Sequence, residues 1–442
     1  MIGNLNSWPR YRPRDLLAQA ACFLCGGLLL AQLAGAAEAA PYGEYFVRLG
    51  QAGTDAGGVA AWPMSGPESA AQDNAEFERQ LSRLEAEGGP YADSLAEPLA
   101  DLARLHRRSG DIAQAQKVYQ RALHVVRIND GLYSERQVPI LRELFETYRM
   151  SGDMAALDAR YDYFFRLYGS GRAPFTPLRL GAALEYLRWQ REALRLGLDE
   201  RDNNRLLALF SLNERILQDV SADPSVDYAS YRALVLSQVS NLYLLLDRHD
   251  SAPEPGVRGA QYIMPTAWDD QDPTQHRLDA LHRSALSRGR ELLGDLIART
   301  PPDRPDALAG AWLELGDWNQ WNDRRTEALA AYRQVESVLG ESGELSTLQQ
   351  WLGEPVELPA NGAFWQPRPA SGQTQPAIVQ ARFDVSATGR ADNIEASAVN
   401  EAAEGKAGKL RRNLAHTRFR PRIVNGEPEA GLHLQRDYEL LD

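Results

Sequence analysis

Seven basic side chains fall between positions 406 and 422 with no acid among them: Lys406, Lys409, Arg411, Arg412, Arg418, Arg420 and Arg422. Such a run can hold an acidic partner or a surface polymer by charge-assisted hydrogen bonds, with Arg acting as a planar fork and Lys as a point charge. It can equally be a solvated helix face that balances an acidic chain, the commoner role of exposed charge runs. Lys409, Arg412, Arg418, Arg420 and Arg422, with His433 and Gln435 on the last strand, are the candidate partner-binding residues. Other chemistry finds no constellation. His276 and His282 stand six apart, which does not place two ligands on one helical face, and no acid or cysteine completes a metal set. Gly405-Lys406 and Gly408-Lys409 lack the rest of a phosphate loop, since Leu410 follows Lys409. The chain has no G-x-S-x-G, H-E-x-x-H or S-x-x-K motif. No catalytic residue, metal or cofactor is expected, and no small-molecule substrate is evident.

The elements that position these residues follow from composition and order. With 442 residues, 44% hydrophobic and 24% charged, the chain is of ordinary globular composition. A net charge of −12 argues against nucleic acid as a partner, because phosphate binding needs a dominant basic face. Arg10, Arg12 and Arg14 precede an apolar run at residues 16–37 that ends in Ala37-Glu38-Ala39-Ala40-Pro41. This order is that of a signal peptide over residues 1–40, and export to the periplasm is expected. The alternative is an uncleaved inner-membrane anchor, the run being just long enough to span. Both cysteines, Cys22 and Cys25, lie in this leader, so the exported chain would carry no disulfide.

Residues 41–67, rich in Gly, Ala and Pro, read as a loosely ordered lead-in, and the first helical period follows at residues 68–87. Between 96 and 129, Leu99, Leu102, Ala103, Gly110, Ala115, Tyr119, Ala122 and Leu123 occupy the small and large packing positions of a helical hairpin. Gly110 suits the tight turn, and the alanines let the helices approach closely. A second copy around Gly152 is offset by 42 residues, with Phe145 and Leu157 where small residues are expected. Trp312, Leu315, Gly316, Ala328 and Tyr332 form a third, with Asn322-Asp323 in place of the turn glycine. These units resemble tetratricopeptide repeats. Because two-helix units cannot bury their faces alone, the separated matches predict one solenoid over residues 68–340. It is interrupted by a long loop at 248–275 and followed by a linker at 341–375. The resemblance implies a protein partner in the solenoid groove.

Residues 376–442 differ in kind. Val379, Ala381, Phe383 and Val385 alternate with polar residues, Gly389 suits a hairpin turn, and a second strand, a helix at 401–415 and a closing alternating strand follow. Together with Arg418-Phe419-Arg420-Pro421 and Asn425-Gly426-Glu427-Pro428, this order resembles the TonB C-terminal domain family. The expected fold class is therefore mostly α: a tetratricopeptide-type solenoid followed by a small α+β domain of a two-stranded hairpin, a helix and a third strand. The second resemblance implies docking of an outer-membrane receptor segment at the C-terminal strand edge, which offers unpaired N–H and C=O groups. The function expected is a non-enzymatic periplasmic interaction scaffold. The alternative is an inner-membrane-anchored energy transducer of the TonB type for outer-membrane transport. The apolar run at 16–37 has neither the Ser nor the His of such a transducer's anchor, and no long Pro-rich span follows it.

Overall fold

The computed structural model describes residues 46–49, 67–198, 204–250, 273–364 and 377–440. The expected leader at 1–40 and most of the expected loop at 248–275 lie outside the described residues.

Helix α1 (Pro67–Gly88) leads into α2 (Ala96–Arg108) and α3 (Ile112–Asp130), and α4 (Val138–Ser151) and α5 (Met154–Leu167) repeat the unit. The two turns are built alike. Gly110 and Gly152 adopt φ of 85° and 72°, a left-handed conformation that costs glycine nothing. The aspartate that follows each one caps the next helix: Asp111 accepts from the Gln114 N–H at 3.1 Å and Asp153 from the Ala156 N–H at 3.0 Å. Ala115, Tyr119 and Ala122 are fully buried between the helices, as their spacing predicts. The large residues Phe145 and Leu157 are also buried, and Phe145 stacks on Tyr161 with ring centroids 4.2 Å apart. Aromatic stacking thus fills the room that small residues would have closed.

Three further hairpins follow. They are α6 (Pro177–Arg195) with α7 (Asn204–Ser221), α8 (Tyr228–Asp250) with α9 (Pro273–Arg299), and α10 (Pro305–Trp321) with α11 (Arg325–Ser342). Thr176 caps α6 by accepting from the Arg179 N–H at 3.3 Å, and Pro177 takes the first helical position. In the last hairpin a Cβ on Gly316 would stand 2.4 Å from the Tyr332 ring, so only glycine allows that approach. Ala328 and Tyr332 are buried there, while Trp312 is half-buried. Two adjoining cores share α6, with Trp189 in one and Leu187 in the other, and a third gathers Ala309, Ala328, Tyr332 and Val335 of the last hairpin.

The expected linker at 341–375 is partly structured. It forms the short helix α12 (Leu345–Leu352), whose Leu352 joins the core of the last hairpin, and strand β2 (Val356–Glu357), which pairs with residues 419–420. The lead-in likewise contributes a strand, β1 (Phe46–Leu49). The terminal region contains β3 (Ala377–Val385), β4 (Ala391–Ala398), helix α13 (Ala407–His416), β5 (Phe419–Arg420), β6 (Arg422–Val424), β7 (Glu427–Glu429) and β8 (Gly431–Leu440). Four strands form an antiparallel sheet in the order β1-β8-β3-β4. Val379, Phe383, Leu410, Leu414, Phe419 and Tyr438 share its core. Gly389 turns β3 into β4 at φ 75°, and a Cβ there would meet the Phe419 carbonyl at 2.1 Å. The expected hairpin, helix and closing strand are all present. The added elements are β1, and the β6–β7 ribbon that turns at Asn425 and Gly426, both with positive φ.

Candidate functional site

The first helices of successive hairpins are joined by cross-helix ion pairs. Arg107 of α2 reaches Glu143 of α4 at 2.7 Å, and Arg142 of α4 reaches Glu185 of α6 at 2.8 Å. One pair of turns further along the same helices, Arg149 forks onto Glu192, with Nη2 to Oε2 at 2.9 Å and Nη1 on Oε1. Glu192 is 2% exposed and the fork is bidentate, the geometry in which such a pair holds two helices in register. A groove of about 400 Å³ opens between α2, α3 and α4, lined by Glu97, Asp101, Arg104 and Arg136 around Ala100 and Ile140. A polar face with apolar floors of this kind can grip a polypeptide. It holds no nucleophile–base pair, and among the described residues no group of three His, Cys, Asp or Glu could hold a metal ion.

The expected basic patch divides in two. Lys409 is half-buried and Arg412 exposed on α13, and Arg422 lies 3.9 Å from Glu429 across the β6–β7 ribbon. Arg418 and Arg420 instead turn toward the helical array. Arg418 donates to Asp323 at 2.6 Å and to the Trp321 carbonyl, and its guanidinium stands over the Trp321 ring. Arg390 adds a bond to Asp323 at 3.3 Å. Arg420 is 4% exposed and faces Asp317 at 3.4 Å. Phe419 and Pro421, between and after them, are buried. Gln320 donates to the Thr388 and Phe419 carbonyls, and Arg333 donates to the Gly426 carbonyl at 2.8 Å. Residues 418 and 420 thus clamp the terminal module onto α10, so their charge is spent inside the chain. On β8 the side chains of His433 and Gln435 remain exposed.

The edge expected to take a partner strand is partly occupied. β1 pairs along one side of β8, Phe46 opposite Leu440 and Leu49 opposite Asp437, while β3 pairs along the other. No strand of the described residues pairs with residues 431–436 on the β1 side.

A second feature of α10 was not foreseen. Glu314 and Asp317 lie one turn apart beneath the terminal module. Desolvation and the neighbouring Asp317 charge raise the Glu314 carboxyl to about 7, with Arg232, Arg420 and the Asn361 amide opposing that rise. Asp317 is also raised, by burial, against the pull of Arg420 and the Tyr332 hydroxyl. A carboxyl whose folded pKa lies above its unfolded value stabilises the protonated fold, and that contribution is lost as pH rises through the folded value. Stability from Glu314 is therefore expected to fall between about pH 4.5 and 7. Glu314→Gln should flatten this part of the pH profile and raise the melting temperature at pH 8, an effect on the order of 2 kcal/mol. Thermal melts of both chains at pH 5.5 and 8 check it; parallel profiles would refute it.

The cross-helix pairs left a signal in the sequence. Arg142–Glu185 and Arg149–Glu192 are both 43 apart, close to the 42-residue offset of the repeats, which a search for complementary charges at that offset would have found.

No protein-family model matches the chain. No curated protein matches it either. Among solved structures it is similar to a protein from Podosopora anserina described as a putative kinesin light chain with nearly identical TPR-like repeats, at 13% identity and a TM-score of 0.34, covering 57% of this chain and 97% of that one. A single-residue variant of that protein aligns at 13% identity and a TM-score of 0.35, covering 57% and 98%. The helical-repeat architecture rests on the five hairpins of the described residues.

Proposed function

We propose that this chain is a scaffold that binds a protein partner rather than an enzyme. The observation that carries it is the polar, ion-paired face formed by the first helices of the stacked hairpins, with its groove around Ala100 and Ile140. A stack of two-helix units offers a long surface and no enclosed catalytic cavity, which suits a polypeptide ligand. The scaffold works in the periplasm, delivered there by the leader at residues 1–40. Its terminal module takes an extended segment of an envelope partner, an outer-membrane receptor being the case the TonB resemblance suggests. Residues 431–436 of β8 are the place for it, because their backbone groups lie in line with β1 and face no strand of the described residues.

The test uses the full chain in its native envelope. A photocrosslinking amino acid is placed at Arg104, on the groove, and in a second variant at Gln435, on β8. Protein adducts at Arg104 are expected, with a different adduct at Gln435; adducts at neither position would refute the scaffold. N-terminal sequencing of the same material should give a start near Pro41. An intact leader in the membrane fraction would overturn the soluble periplasmic placement in favour of the anchored transducer.

A further inference from the structure

The groove around Ala100 is lined mainly by the first helices α2 and α4. A second groove, of about 550 Å³, opens where the second helices of the last two hairpins, α9 and α11, flank α10. Glycines set its position. A Cβ on Gly289 would stand 2.3 Å from the Trp318 ring and one on Gly316 2.4 Å from the Tyr332 ring, so α10 packs directly against both neighbours. Three consecutive side chains of α10 then behave differently. Trp318 donates through Nε1 to the Leu286 carbonyl at 3.2 Å, and Gln320 donates to the Thr388 and Phe419 carbonyls. Asn319, between them, is 2% exposed and lines the groove, yet its Oδ1 meets no hydrogen-bond partner among the described residues. Its backbone carbonyl accepts from the Arg324 N–H at 2.8 Å, so the amide alone is left over.

A buried acceptor without a donor costs the fold stability, and an amide that makes no internal bond is free to serve a ligand. A half-turn about the last torsion of Asn319 exchanges its oxygen and nitrogen easily, because that torsion is broad and two-fold, so the oxygen can face the groove. The rest of the lining says which donor fits. Trp312, half-buried, stands with Leu315 and Ala331 as the apolar walls. Glu291 and Glu327 set two carboxylates against one guanidinium, that of Arg290, and none of the three is in a salt bridge with a described residue. An aromatic face, an apolar wall and a surplus of negative charge are the surroundings that suit a cation on a hydrocarbon stem. We propose that this groove takes a lysine side chain of the protein partner, its methylenes along Leu315 and Ala331 and its ammonium shared by the Asn319 oxygen and the carboxylates of Glu291 and Glu327. The three N–H groups of an ammonium match three acceptors. The inference rests on the scaffold reading for the protein nature of the ligand, and it adds to that reading a second contact, on the second helices.

The probe is a fluorescein-labelled peptide of four alternating Lys-Ala pairs, beside the same peptide with every lysine acetylated, titrated into the full-length protein by anisotropy. The parent should bind the first at least about tenfold more tightly than the second, since acetylation removes the charge and keeps the stem. Glu291→Gln with Glu327→Gln should weaken binding about tenfold. Glu78→Gln with Glu87→Gln, both on the exposed face of α1, is the charge-matched control and should bind as the parent does. Asn319→Leu is the decisive variant. It should also weaken binding about tenfold, while its melting temperature stays level or rises, because an unpaired buried polar atom has been removed. A lowered melting temperature in Asn319→Leu would mean that the amide serves the fold, which overturns the assignment. Equal binding by the parent, the Glu291 and Glu327 double variant and Asn319→Leu overturns it too, as does indifference to acetylation. Full displacement of the peptide by an equal concentration of free spermidine would reassign the groove to a small amine and overturn the protein ligand. Crosslinking at Arg104 decides the scaffold independently of all these results.

Discussion

Glu357→Ala should unfold the terminal module's seat at markedly lower denaturant than the parent chain. Glu357 is 2% exposed on β2, where it accepts from Arg436 at 2.7 Å and from the Tyr438 hydroxyl at 2.6 Å. Arg436, 6% exposed, is otherwise held by the Pro355 carbonyl. Removing the carboxylate strands a buried guanidinium, and the cost of breaking such a pair from one side is about 3–5 kcal/mol. Glu357→Gln keeps an acceptor for the phenol but removes the charge, so its loss should be smaller. Urea unfolding followed by Tyr and Trp fluorescence reports both midpoints, and an unchanged midpoint in Glu357→Ala would show that the pair contributes nothing. The consequence is architectural: β2, in a stretch expected as a linker, supplies the counter-charge for the last strand.

The second large effect concerns Arg420 and Asp317. Their side chains are only 3.4 Å apart, but Nε and Nη1 of Arg420 make no hydrogen bond, so the pair is electrostatic without the geometry that makes ion pairs strong. A buried pair of this quality barely offsets its own desolvation, whereas half of it is costly. Arg420→Met should therefore destabilise the chain by about 3 kcal/mol at pH 8. The loss should shrink as the pH is lowered from 8 to 5, because burial raises the Asp317 carboxyl and removing Arg420 takes away the charge opposing that rise, which eases protonation of the stranded group. The double variant Arg420→Met with Asp317→Asn should return close to the parent at both pH values. A double-mutant cycle measured by urea unfolding decides it. If the double variant falls as far as the sum of the singles, the two side chains are not coupled.

The helical repeats could be read from the sequence because their signal is local. Gly110, Ala115 and Ala122 sit a few residues apart, and each constrains the same hairpin. Val379, Ala381, Phe383 and Val385 reveal a strand for the same reason. The interface could not be read this way. Arg418 and Asp323 are 95 apart and Arg436 and Glu357 are 79 apart, and in a chain with 48 basic and 60 acidic residues no spacing singles out either pair. A run of arginines beside a helix therefore looks like an outward patch until the fold shows that two of them point inward. β1 escaped notice because four residues, Phe46 to Leu49, are too few to establish an alternation.

The pairing of β1 with β8 also has a temporal side. Phe46 lies opposite Leu440, so the first described strand to leave the ribosome waits for almost the whole chain before its partner exists. Helical hairpins close from neighbours and can form as they are synthesised, whereas this edge depends on the most distant strand pairing among the described residues and carries the largest loop-closure cost. The sheet is thus completed only once β8 has been made, after the helical hairpins that precede it.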